Sequence, residues 1–139
     1  MGERRKAREA AVQMLYQWDI NRQPVERLLK AFWELGEQPE PVRYFARRLV
    51  EGTLAQVDRI DALISEQAER WRLPRMATVD RNVLRVAIYE LLFEDTPKKV
   101  VINEALEVTK KFSSPQAVQF VNGVLDGVRL KMETPEGAR

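Results

Sequence analysis

The sequence predicts an all-α protein of six or seven helices, and three observations carry that prediction. No alternation of apolar and polar residues persists long enough to read as a strand. Leu, Ala, Glu, Arg and Val dominate, and only 6 of 139 residues are glycine, a composition that favours helix. The stretch Thr78–Glu94, TVDRNVLRVAIYELLFE, is apolar nearly all round when wound as a helix. Val83, Leu84, Ala87, Ile88, Leu91 and Leu92 cover one half of it, and Val86, Tyr89 and Phe93 cover much of the other. Such a helix needs neighbours on several sides. It is too short, and too often interrupted by Asp80, Arg81, Arg85 and Glu90, to span a bilayer. It is therefore predicted as a buried central helix, with Thr78 as N-cap and Asp80 adding negative charge to the first turn. Pro97 prevents the helix from running on past Asp95.

The other elements are legible in chain order. Arg4 to Ile20 reads as a helix because Ala7, Ala11, Met14 and Trp18 recur along one seam, with Ala10 and Leu15 at its edges. Arg5, Arg8, Val12 and Tyr16 lie on one flank of that seam, and Asn21, Gln23 and Pro24 make the turn. A second helix runs from about Val25 to Leu35, with Leu28, Leu29, Phe32 and Leu35 inward and Gly36 as a left-handed cap. A long helical pattern covers about Val42 to Arg70, and pattern alone leaves open whether it is bent, split or continuous at Gly52 and Thr53. Trp71, Leu73 and Pro74 form a junction. After the central helix, Val100 to Phe112 is helical, with Ile102, Ala105, Leu106 and Val108 inward and Lys110 and Lys111 suited to the negative end of its dipole. Ser114 with Pro115 next to it is a sharp start signal for a last helix carrying Val118, Val121, Leu125 and Val128. Gly123 sits inside that helix at a cost of roughly 1 kcal/mol relative to alanine, which favours close packing against another helix as its reason. The organisation expected is an N-terminal helical subdomain, 1–72, a C-terminal one, 73–133, and a flexible tail, 134–139.

Composition restricts the chemistry. The chain has no cysteine and no histidine, which removes disulfides, thiolate chemistry, the usual general base and the commonest metal ligand. No glycine-rich phosphate loop is present. Asp58 and Asp61 form one i, i+3 acidic pair, best read as a solvated helix face. No catalytic residue, metal or cofactor is expected. With a net charge of +2, any nucleic-acid surface must be local. No signal peptide or membrane span is expected, so a cytoplasmic protein is the default.

One local surface stands out. Arg4, Arg5, Lys6 and Arg8 fall within five residues at the start of a helix, where positive charge opposes the macrodipole. The cluster reads either as a solvated helix start or as a site for an external anion. Guanidinium groups hold phosphates, and Tyr16 further along the same side can stack an unpaired base.

Three segments resemble one family in order: RRKAREAAVQMLYQWDI, DRNVLRVAIYELLF and VVINEALEVTKKFSSPQAVQFVNGVLDGV. They are similar to the bacterial NusB family of transcription antitermination factors, and the likeness covers nearly the whole chain. It implies two packed helical subdomains in a NusB-like fold. It implies binding to single-stranded boxA RNA of nascent ribosomal RNA transcripts, more tightly with NusE, the small-subunit ribosomal protein. NusA, NusG and RNA polymerase would join a larger complex that passes terminators. By the same resemblance the RNA-binding residues fall on Arg4, Arg5, Lys6, Arg8 and Tyr16, with Phe120 as a further candidate and Asp80 as a contact for NusE. Lys6 stands where arginine is common and Gln116 where an acidic residue is common. Lysine keeps the charge but loses the two-pronged fork. The same fold opens some ribosomal RNA methyltransferases, but without a glycine-rich loop no methyl-transfer machinery is expected here. The competing readings are a protein-binding helical adaptor without direct RNA contact and a small histidine-free enzyme. The oligomeric state, a homodimer included, stays open.

Overall fold

A computed structural model describes residues 2–68 and 73–134. Among the described residues there are seven α-helices and no strand. They are α1 (Gly2–Asn21), α2 (Val25–Glu34), α3 (Glu40–Ala55), α4 (Val57–Gln67), α5 (Thr78–Phe93), α6 (Lys98–Phe112) and α7 (Pro115–Glu133), with a 3-10 turn at Leu73–Arg75. Trp71 and residues 135–139 lie outside the described part, so the expectations placed on them have no structural counterpart.

Helix α5 takes the central place its all-round apolarity demands. It packs against α1, α3, α4, α6 and α7, and every residue from Asn82 to Leu91 is buried. Leu84 and Ile88 are fully enclosed, and each contributes about 1.5–3 kcal/mol by burial. One apolar cluster runs from Ala7 of α1 to Val128 of α7. On α1, Ala7, Ala11 and Met14 are buried as the seam predicts, while Trp18 is only half covered.

Several local expectations are corrected. The third pattern, which the sequence leaves open as bent, split or continuous, is split into two helices, and only the place of the break differs: it falls at Gln56 (φ −117°, ψ 17°), one turn beyond Gly52. Gly52 lies inside α3 for another reason: a Cβ there would overlap Cε1 and Cζ of the Tyr89 ring on α5. Thr78 is the first helical residue rather than the cap. Ala77 occupies the cap position in an extended conformation without a side-chain hydrogen bond. Helix α2 ends at Leu35, still right-handed (φ −76°), so Gly36 is not a left-handed cap. The left-handed residue is Arg22 (φ 55°), in the turn between α1 and α2. Gly123 is exposed, and a Cβ on it would meet nothing within 4 Å, so close packing is not its reason. The close approach on α7 lies one turn on, at Gly127, against the Gln67 side chain of α4. The Ser114–Pro115 signal is observed as read: Ser114 Oγ accepts a hydrogen bond from the Ala117 N–H at 3.2 Å.

Charges also cross the interior. Arg85 of α5 donates through Nε and Nη2 to Asp61 of α4 (2.8 and 2.9 Å) and through Nη1 to Asp19 of α1 (3.0 Å). Arg81 Nε reaches the same Asp19 oxygen at 2.7 Å, and Asn82 Nδ2 donates to it at 3.1 Å. Asp61 is thus an anchor for a buried arginine, not part of a solvated face, while Asp58 is exposed. Burial pushes the Asp19 carboxyl up, but the Arg81 hydrogen bond, the Arg85 charge and the Asn82 hydrogen bond together outweigh it and hold the group below its ordinary range.

Candidate nucleic-acid interface

Helix α1 separates its four N-terminal cations into different environments. Apolar residues Ala7, Ala11, Val12 and Leu15 pull one face into the core. Arg8 lies on that face and is buried with them. Its guanidinium donates to both oxygens of Glu90 on α5, Nε at 2.7 Å and Nη2 at 2.9 Å. Two of its donors, Nε and Nη2, are thereby engaged inside the fold. The resemblance places Arg8 among the RNA-binding residues; in the structure its side chain is buried and its fork closes on an internal carboxylate, because an apolar pocket offers no water in its place.

Arg5 is at the boundary. Its Nε and Nη2 donate to the two carboxylate oxygens of Glu104 on α6 at 2.9 and 2.8 Å, and its side chain remains 40% exposed. The hydrogen bond and charge of Glu104 raise the Arg5 pKa. In turn the Arg5 hydrogen bond holds the Glu104 carboxyl below its usual range, against burial. Arg4 is exposed, and its guanidinium carbon lies over the Phe45 ring of α3, 3.9 Å from the ring centroid. That cation–π contact favours holding the guanidinium against α3 while the residue as a whole stays exposed. Lys6 is exposed and, among the described residues, makes no ion pair.

Tyr16 is 37% exposed. It lies three turns beyond Arg5 on the same side of α1, about 16 Å along the axis. The structure therefore brings Arg4, Arg5, Lys6 and Tyr16 to the accessible part of α1 and leaves Arg8 beneath. It also adds a cation that the sequence places only at a helix end. Lys111 of α6 reaches Glu9 of α1 at 3.0 Å, which sets it beside this edge with more than half of its side chain exposed. The basic Lys110-Lys111 pair is the available signal, but only the α1–α6 packing shows where it points.

Phe120 and Asp80 lie together elsewhere, in a groove of about 410 Å³ shared with Met76, Ser114, Gln116 and Ala117. None of the α1 cations lines it. Phe120 is half-buried. Asp80 is only 8% exposed and accepts a 2.7 Å hydrogen bond from Ser113 Oγ, so its carboxylate is already engaged inside the fold. No group of three or more acidic side chains that could hold a metal occurs among the described residues.

The NusB family model matches residues 5–129. This chain belongs to the NusB family. It is 49% identical over 134 residues to the transcription antitermination protein NusB of Koribacter versatilis, covering 95% of this chain and 92% of that one. It is 47% identical over 137 residues to the protein of the same name from Solibacter usitatus, covering 97% and 94%. Among solved structures it is similar to T. maritima NusB (TM-score 0.81, 37% identity, 97% and 95% covered). It is also similar to a chain in the crystal structure of antitermination factors NusB and NusE in complex with dsRNA (TM-score 0.86, 28% identity, 94% and 98% covered). The NusB family is a family of transcription antitermination proteins and not of enzymes. No helix among the described residues is long and apolar enough to cross a membrane.

Proposed function

We propose that this NusB-family chain captures the boxA element of nascent ribosomal RNA transcripts as a single strand, together with NusE. In a larger cytoplasmic complex with NusA, NusG and RNA polymerase it helps the polymerase read through terminators. The observation that carries the reading is the placing of Arg4, Arg5 and Lys6 on one accessible helix with the exposed ring of Tyr16. Cations neutralise phosphate, and an aromatic face stacks an unpaired base. The similar chain crystallised with NusE and dsRNA supports both partners.

In this reading Arg8 fixes the pitch of α1 against α5, and the neighbouring cations meet the RNA. Phe120 is a further RNA contact. Asp80 is enclosed, so a NusE contact at that position requires the groove it shares with Phe120 to admit a partner side chain.

A second reading is favoured by one observation: Arg5 and Arg8 already have internal carboxylates. That suits a protein-binding helical adaptor that leaves RNA to its partner. Fluorescence anisotropy with single-stranded boxA RNA, its duplex and a scrambled strand, each with and without NusE, separates the two. The RNA reading expects boxA to be bound by the chain alone, over the scrambled strand, and more tightly with NusE. NusE binding with no RNA affinity in the chain itself would establish the adaptor instead.

A further inference from the structure

Glu104 is left over from the packing of α1 on α6, and its position relative to the arginines gives it a consequence for RNA. Arg5, Arg8, Glu90 and Glu104 form one cluster: Arg8 closes on Glu90, Arg5 closes on Glu104, and Arg8 Nη1 lies 3.9 Å from Glu104. Two positive charges face two negative ones. Of the four cations in the N-terminal run, only Arg4 and Lys6 then lack a carboxylate partner among the described residues.

The pairing of Arg5 is side-on. Glu104 occupies Nε and one hydrogen of Nη2, which leaves both hydrogens of Nη1 and the second of Nη2. The Arg5 side chain is 40% exposed while that of Glu104 is 13% exposed. The free edge of the fork can therefore donate to a phosphate without leaving Glu104. What it offers is geometry with the charge cancelled.

We propose that Glu104 sets the electrostatic strength of the RNA edge: it holds the Arg5 fork in orientation and removes its charge from the count that attracts the RNA backbone. This role rests on the proposed capture of RNA by α1. It makes Glu104 a positioning residue that acts through Arg5 and does not itself touch RNA.

The test is salt-titrated binding of single-stranded boxA RNA to the full chain and to Glu104→Gln, with circular dichroism on both. The amide still accepts one hydrogen bond from Arg5 but carries no charge. The slope of log affinity against log salt should steepen by about 0.7, the value for one more phosphate neutralised on a single strand. Affinity should rise about fivefold at 0.1 M salt, with the gain vanishing towards 1 M. Glu104→Asp, which restores the charge, should restore the original slope. A folded Glu104→Gln protein with unchanged slope and affinity overturns the proposal. So does loss of helical signal in Glu104→Gln, which would make the pair a fastening for α1. If the unaltered chain binds no boxA RNA at all, the RNA reading itself fails, a result distinct from both.

Discussion

Arg8 on α1 and Glu90 on α5 meet in a two-pronged ion pair, with their side chains 7% and 1% exposed. Taking two charges out of water is costly, and the pair holds only because each charge is fully matched. Arg8→Ala would leave Glu90 enclosed without a partner and should cost about 3–5 kcal/mol of stability. Arg8→Met combined with Glu90→Leu should recover most of that loss. Urea unfolding monitored by circular dichroism measures both. A loss below about 1 kcal/mol for Arg8→Ala would show that the pair is not needed to seat α1.

Gly52 and Gly123 should respond to alanine in opposite directions. At Gly52 the added methyl meets the Tyr89 ring, so either α3 or the ring must shift, and the variant should lose about 1–3 kcal/mol. At Gly123 the methyl enters open space on an exposed helical face, and removing the glycine should add up to about 1 kcal/mol. Thermal unfolding of the two variants side by side checks the contrast. Loss of stability in both would mean that α7 is more crowded at Gly123 than its surroundings indicate.

Acid should weaken the fold through Asp19 and Glu104. Both carboxyls titrate below their ordinary range in the folded chain. A carboxyl with a depressed folded pKa contributes stability above its unfolded pKa, and loses that contribution as pH falls through the folded one. The urea midpoint should therefore hold near neutral pH and drop below about pH 4. Asp19→Asn should lower the midpoint at neutral pH and flatten the acid limb, since it removes a group whose protonation drives the loss. An acid limb as steep in Asp19→Asn as in the unaltered chain would assign the effect to other groups.

Tyr16→Ala should weaken boxA binding by about 1–3 kcal/mol, as expected for loss of one stacked base, with little change in the salt slope. Isothermal titration at two salt concentrations separates that pattern from the loss of a phosphate contact. An unchanged affinity would reduce Tyr16 to a surface residue of α1.

Features that depend on local chemistry are visible in the sequence. The Ser114–Pro115 start of α7 needs only its own turn, and the all-round apolarity of Thr78–Phe93 needs only helical winding to demand burial. Glycine is different, because its reason lies in what faces it. Gly52 has the look of a break and is a contact with Tyr89, while Gly123 has the look of a contact and is open. The cationic run is legible as a run, but not in its division. Arg8 shares its helical face with Ala11, Val12 and Leu15, and Glu90 sits on a helix otherwise apolar nearly all round. Two opposite charges, each alone on an apolar face, are the available hint of a buried pair. That Arg5 meets Glu104, or Lys111 meets Glu9, depends on how α1 and α6 lie together, which no local pattern encodes.

Arg4 and Lys6, which have no carboxylate partner among the described residues, should supply most of the charge that α1 offers to RNA. Salt-titrated anisotropy of single-stranded boxA RNA with the unaltered chain and with Arg4→Ala/Lys6→Ala tests this most directly. Neither side chain is part of the buried core, so the variant should keep its helical signal. The slope should become shallower by about 1.4, two phosphates' worth, with affinity at low salt falling accordingly. A folded variant that binds boxA with the original slope would place the RNA surface somewhere other than the start of α1.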